Sequence, residues 1–177
     1  PAAMRGNAVA GFTSVRGRSH TFDRRADGYA RGEAINAVAC RLGAYGDDVL
    51  TFDRMTGSAI RQDGRSASLT APNGQAQQDV LDASLMDARL GTEEVAMLEA
   101  HGTGTALGDP IEAGAVAAIF LARNVDSHTV LGIGSLKANA GHTEPGAGLA
   151  GTIKLLMQLR DSSLSPNAQL RTINPHV

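Results

Sequence analysis

One cysteine, no tryptophan and no surplus of either charge mark this chain of 177 residues. A single thiol, Cys40, excludes an internal disulfide, so the fold has to hold without covalent cross-links, which suits a reducing compartment. Aromatic residues are 3% of the chain and small residues dominate the apolar count. That composition favours close helix–sheet packing over an aromatic-rich binding face. Sixteen basic residues against 18 acidic ones give a net charge of −2, which steers the chain neither to nucleic acid nor to an anionic membrane. No apolar run reaches the roughly 18 residues of a membrane span. The opening stretch PAAMRGNAVAGF has no charged-then-apolar targeting pattern. It starts at Pro1 rather than Met, which is the expectation for a piece of a longer protein. A cytoplasmic location is expected, or a plastid one if a targeting segment precedes the piece.

What the chain does have is a real apolar fraction, 42%, and 21 glycines. There is no internal repeat and no low-complexity linker. Residues 32–43 (GEAINAVACRLG) and 49–60 (VLTFDRMTGSAI) are apolar or β-branched enough to predict strands. Residues 62–74 form a polar loop. A helix is predicted over 75–90, with Val80, Leu81, Ser84, Leu85 and Ala88 on its inward face and Gly91 as its stop. VAMLEA (95–100) predicts a strand that delivers His101, and a helix follows over 110–123 with Pro110 in its first turn. TVLGIGSL (129–136) predicts the next strand. A small-residue helix is expected over 146–160, with Leu149, Ile153, Leu156 and Met157 inward. Strands alternating with helices make the fold class α/β.

The chemistry concentrates where two of those strands end. HGTGTALGDPIEAG (101–114) places a histidine before an alternating Gly/Thr run. Glycines let a backbone approach a ligand, threonines supply hydroxyls, and histidine exchanges a proton near neutral pH. GSLKANAGHTEPGAG (134–148) repeats the outline, a strand end, a Gly-containing loop and a helix. Ligands in open α/β sheets gather outside the carboxyl ends of strands. If these two strands are neighbours, Lys137, Asn139 and His142 face His101 across one cavity. Two neutral imidazoles can hold an oxyanion or enolate through their N–H groups without a metal, a lysine can polarise one of them, and Glu112 can pair with that lysine. The group has no nucleophile of its own.

Plainer readings stand beside that one. A strand-end histidine is often an ordinary polar cap, and GTGT can be a tight turn. It is a poor dinucleotide fingerprint, because Leu107 stands where a third glycine is needed. GSLKANAG has the wrong spacing for a phosphate loop. His101, Asp109 and His142 could ligate a metal, but no helical His pair or CxxC supports it. GAGLAG reads as packing, and Asp47–Asp48 and Glu93–Glu94 as solvated surface.

VAMLEAHGTGTALGDPIEAGAVAAIF and IGSLKANAGHTEPGAGLAGTIKLL resemble the two histidine motifs of the ketosynthase domain of type I polyketide synthases, in the β-ketoacyl synthase family. TFDRRADGYARGE and GSAIRQDGRSASLTAPNGQAQQDVL are similar to its preceding blocks, so the resemblance runs through nearly the whole chain in order.

That resemblance implies a thiolase-like layered αβαβα fold, of which residues 1–177 would be the second half. It implies a decarboxylative Claisen condensation: an acyl chain on a cysteine, and a malonyl-type extender on the phosphopantetheine of acyl carrier protein. His101 and His142 match the two catalytic histidines, and Lys137 matches the lysine that precedes the second. Glu112 matches the acid that pairs with the lysine. Thr103 and Thr105 match contacts to the pantetheine arm, and Asn139 is assigned to the same substrate path. No metal and no directly bound cofactor are implied. The partners implied are acyl carrier protein, the missing N-terminal half of the same domain, and a second copy in a homodimer of the full protein.

The departures are as informative. The family's nucleophile elbow, similar to TACSSS, and its closing glycine-rich strand are both absent. Cys40 in VACRLG occupies a run that reads as a buried apolar strand, where a cysteine is ordinarily a small hydrophobe. The chain alone is therefore expected to be inactive. The runner-up reading is a non-condensing ketosynthase-like module that binds carrier protein or gates chain length. A third is a fragmentary product with no stable fold.

Overall fold

A computed structural model of the chain describes residues 2–40, 42, 53–66, 68, 70–121 and 130–177. Between helix α1 (Ala2–Val9) and residue 74 the described residues form no helix or strand. Then follow α2 (Gly74–Ala88), a 3₁₀ turn (Thr92–Glu94), β1 (Met97–Glu99), α3 (Gly108–Phe120), β2 (Gly132–Gly134), the short α4 (Lys137–Ala140), a second 3₁₀ turn (Glu144–Gly146) and α5 (Ala147–Asp161).

β1 and β2 are hydrogen-bonded neighbours, parallel, with Leu98 opposite Ile133 and Glu99 opposite Gly134. Parallel neighbours need a crossover, and α3 supplies it. The ladder runs one step past the strands, where the Ala100 N–H donates to the Gly134 carbonyl at 2.8 Å. Both strands therefore stop side by side, and the chain segments that carry His101 and Lys137 leave from the same end of the sheet.

The core lies between α3 and α2. Val116, Ile119 and Phe120 are buried together, with Leu81 and Leu85 of α2, Leu98 of β1, Val95 and Leu131 packed against them. Burying side chains of this size stabilises by roughly 1.5–3 kcal/mol each. α2 begins where the Asn73 side chain accepts the N–H groups of Gln75 and Ala76. Its stop is Arg89, left-handed at φ 57°, whose N–H returns to the carbonyls of Leu85 and Met86; Gly91, the expected stop, instead precedes the 3₁₀ turn. α3 starts two residues earlier than Pro110 suggests, because the Thr105 hydroxyl accepts the Gly108 N–H at 3.2 Å. Glu93 and Glu94 are exposed, as solvated residues should be.

Four expectations are corrected. The described part of 32–43 carries no regular secondary structure, and Ile35 is fully exposed, so no strand forms there; residues 41 and 43 lie outside the described residues. Cys40, expected in a buried strand, is exposed on that segment. Residues 53–60 likewise form no strand, while 49–52, with Asp47–Asp48, lie outside the described residues. An apolar run becomes a strand only when a partner takes its backbone hydrogen bonds and a face covers it. In α5 the buried positions are Ala150, Gly151 and Gln158, whereas Leu149 and Met157, expected inward, are about half exposed. Small residues face β1 because nothing larger fits: a Cβ on Gly151 would lie 3.0 Å from the Glu99 side chain.

Residues 19–23 have no regular secondary structure yet are almost wholly buried. The stretch 19–32 threads past both strand ends. On one side the Gly28 N–H donates to the Gly104 carbonyl at 2.9 Å, and the Thr21 hydroxyl donates to the Gly102 carbonyl at 2.6 Å. On the other, the His142 N–H donates to the Ala30 carbonyl at 2.7 Å and the Gly32 N–H to the His142 carbonyl at 3.0 Å. Asp23, fully buried, ties the same segment to the end of the chain. It accepts the N–H groups of Arg171 and Thr172 and pairs with Arg25 at 2.7 Å. The Arg25 guanidinium holds the Asp23 carboxyl well below the usual carboxylate range.

Candidate active site

The imidazoles of His101 and His142 meet edge to face, their centroids 5.6 Å apart and their planes at 89°. The side-by-side strand ends produce this meeting. β1 delivers His101, and β2 leads through α4 and a turn at Gly141 (φ +77°) to His142. Lys137, the first residue of α4, is buried beside them.

The loop after His101 is tightly fixed. Gly102 and Gly104 both have positive φ, +46° and +80°, and neither could carry a side chain: a Cβ would lie 2.6 Å from Ser135 at the first and 2.8 Å from the His20 backbone nitrogen at the second. Here glycine is required by both conformation and space. Asp109, fully buried, accepts the Gly104 N–H at 3.0 Å and the Phe22 N–H at 2.8 Å. Both of its oxygens therefore hold backbone. Thr103 is buried, with its hydroxyl 3.3 Å from that of Thr105, which also caps α3. Asn139 is exposed and donates to the Pro166 carbonyl at 3.2 Å.

Glu112 stands differently from expectation. Its carboxylate accepts the N–H groups of His101 and Gly102, at 2.6 and 2.8 Å, so it acts on Lys137 through space rather than as a direct ion pair. Glu99 closes the far side: it pairs with Lys154 at 2.7 Å and accepts the Leu136 N–H at 2.5 Å.

Electrostatics keep this cluster short of protons. Burial lowers the pKa of Lys137, while Glu112, Glu99 and Asp109 oppose that. Desolvation of the ring and then the Lys137 cation lower His101, although the residue keeps exposed surface, with Glu112 opposing. His142 is brought down to about 4 by burial first, then by Lys137, His101 and Arg31. Burial raises Asp109 to about 6 against the backbone N–H groups of Phe22, Gly104 and Thr105. At neutral pH both imidazoles are therefore uncharged. Each has one N–H to give and no reason to take a further proton, which suits an oxygen that gains negative charge in a reaction.

Tyr29, Arg31 and Glu144 escaped the sequence reading as members of this site. Tyr29 packs edge-on against His142 at 4.9 Å. Glu144 donates its N–H to His142 Nδ1 at 3.0 Å, and its carboxylate pairs with Arg31. One signal was available: Glu144 precedes Pro145, and a residue before proline is disfavoured in the right-handed helical region. A separate cleft of about 380 Å³ runs along α5 beside Leu136, Ile153 and Met157, away from both histidines.

The chain is also similar to known proteins. Residues 53–171 match the family model described as β-ketoacyl synthase, C-terminal domain. The chain is 44% identical over 181 residues to a phenolphthiocerol/phthiocerol polyketide synthase of Mycobacterium tuberculosis, an alignment covering all of this chain and 10% of that protein. It is 42% identical over 162 residues to the highly reducing polyketide synthase alnA of Emericella nidulans, covering 89% of this chain and 6% of that one. Among solved structures it superposes on the ketosynthase from module 6 of the bacillaene synthase of Bacillus subtilis, with a TM-score of 0.85 and 30% identity. That match covers the whole of this chain and 32% of that one. The chain thus spans about a third of a solved ketosynthase and a small part of the synthases it matches.

Proposed function

The chain belongs to the β-ketoacyl synthase family, as a C-terminal-half fragment of a type I polyketide synthase ketosynthase with its thiolase-like layered α/β fold, and from that premise we propose that it supplies the histidine half of a condensing site. The observation that carries the reading is the pair of perpendicular imidazoles backed by buried Lys137 at the ends of two paired parallel strands.

On this reading a malonyl-type thioester on acyl carrier protein loses carbon dioxide. The electron pair of the broken C–C bond moves into the thioester, giving an enolate whose charge rests on oxygen. N–H groups of His101 and His142 donate to that oxygen. The enolate carbon then attacks the carbonyl of an acyl thioester on a cysteine outside this chain; a C–C bond forms and the cysteine leaves as thiolate. Lys137 keeps the imidazoles uncharged and polarised. Glu112 holds the His101 backbone in place and tempers the lysine. Thr103, Thr105 and Asn139 are assigned to the phosphopantetheine path, which requires Asn139 to exchange its Pro166 bond for one to substrate. Residues 1–177 form a partial domain that works with its N-terminal half, in a homodimer, in the cytoplasm, without a cofactor of its own. Among the described residues no helix is long and apolar enough to cross a membrane.

The test joins this chain to the rest of its ketosynthase domain, loads it with an acyl thioester and offers malonyl carrier protein. Mass analysis should find β-ketoacyl carrier protein. Tight carrier-protein binding with no product would favour a non-condensing module instead.

A further inference from the structure

His142 is held by residues that the reaction itself does not name. Its Nδ1 lies 3.0 Å from the Glu144 N–H. A backbone N–H can only donate, so Nδ1 must present a lone pair, and the ring hydrogen of the neutral imidazole sits on Nε2. Glu144 is placed for this by an unusual backbone, φ 47°, in a residue that is not glycine. Such a conformation persists when surrounding contacts over-determine it. Those contacts are present. The Glu144 carboxylate accepts Asn7 Nδ2 at 3.0 Å and the Tyr29 hydroxyl at 3.2 Å, and pairs with the Arg31 guanidinium. Tyr29 also packs its ring against His142, and the backbone of residues 30–32 brackets His142 through two hydrogen bonds.

We propose that Glu144, anchored by Arg31, Tyr29 and Asn7, is a positioning residue that locks His142 in its Nε2–H form. The proposal rests on the reading of His142 as a donor to the enolate, because a donor with its hydrogen on Nδ1, or one that exchanges tautomers, would offer the wrong end of the ring. The charged and titratable groups around His142 are Lys137, His101 and Arg31, which disfavour its protonation, and Glu144 and Tyr29, which are bound to one another.

The test is ring ¹⁵N NMR of the histidines in the 177-residue chain, which needs no turnover. Wild-type His142 should show a bare Nδ1 and a protonated Nε2 from neutral pH down to about 5. Glu144→Ala should give a mixture of tautomers. Arg31→Met should raise the titration midpoint, and Arg31→Lys should restore most of it. If Glu144→Ala or Arg31→Met fails to fold by circular dichroism, Tyr29→Phe removes only the hydroxyl and should shift His142 less, in the same direction. An unchanged tautomer in the folded variants would overturn the proposal. In the joined domain, Glu144→Gln should lower the decarboxylation kcat and move its acid limb while KM for the malonyl carrier stays the same. A wild-type chain with the expected NMR signature but no condensation would instead count against the condensing reading alone.

Discussion

The carboxylate of Asp109 accepts the N–H of Phe22 at 2.8 Å while its other oxygen accepts the N–H of Gly104. One fully buried side chain thus ties the irregular 19–23 segment to the loop that follows His101. Asp109→Ala would leave two buried N–H groups without acceptors, at about 1–3 kcal/mol each. We expect a loss of roughly 2–4 kcal/mol in urea unfolding. A loss under about 0.5 kcal/mol would show that the staple is not needed.

Gly104 has φ +80°, and a Cβ there would lie 2.8 Å from a backbone nitrogen. Gly104→Ala should destabilise by about 2 kcal/mol or more, since both conformation and space oppose it. Gly114, in the middle of α3, has nothing within 4 Å of an added Cβ. Gly114→Ala should stabilise by about 0.5–1 kcal/mol. Comparing the two unfolding midpoints checks both; equal shifts would contradict the loop's packing.

The part of this site that was legible in the sequence is the part written in contiguous motifs. His101, Lys137 and His142 each follow a strand, and strand neighbours bring them together. The roles of Glu112, Asp109 and Glu144 were not legible: the first two accept backbone N–H groups, which no motif marks, and Glu144 gives its own N–H to His142 while its carboxylate is held by the distant Asn7, Tyr29 and Arg31. Glu112 carried a family expectation of pairing with Lys137, and the amides of His101 and Gly102 took its oxygens instead. The run around Cys40 failed as a strand for the complementary reason. Its apolarity describes what a strand needs, but within this chain Ile35 and Val38 find no covering face.

Acidification should weaken the chain through His142. Its pKa in the folded state, about 4, is below the ordinary value of 6.5, so the unfolded chain takes up the proton first. The contribution is present above pH 6.5 and is lost as pH falls through 4. Asp109, raised to about 6, has the opposite sign: its contribution is present below the ordinary 3.8 and is lost as pH rises through 6. Wild type should therefore lose stability relative to His142→Gln between pH 6.5 and 4, measured by denaturant titration at each pH. A constant difference would mean that His142 titrates normally.

Cys40 is exposed, so a thiol reagent should modify it readily in the native chain. It should not hold substrate, because an acyl-carrying cysteine needs a base or an oxyanion donor beside it. After incubation with a radiolabelled acyl thioester, the denatured chain should carry no stoichiometric label. A full equivalent of acyl group, abolished by Cys40→Ala, would make this chain a self-sufficient acyl carrier.

Release of carbon dioxide from a malonyl thioester, measured with the chain joined to the rest of its domain, tests the pairing of His101 with His142 most directly. On the proposed reading both imidazoles donate to the developing enolate oxygen, so His101→Ala and His142→Ala should each lower the rate by about 10²–10³-fold. Lys137→Ala should lower it less, since that side chain acts through the imidazoles. Decarboxylation at the wild-type rate in either histidine variant would contradict the assignment.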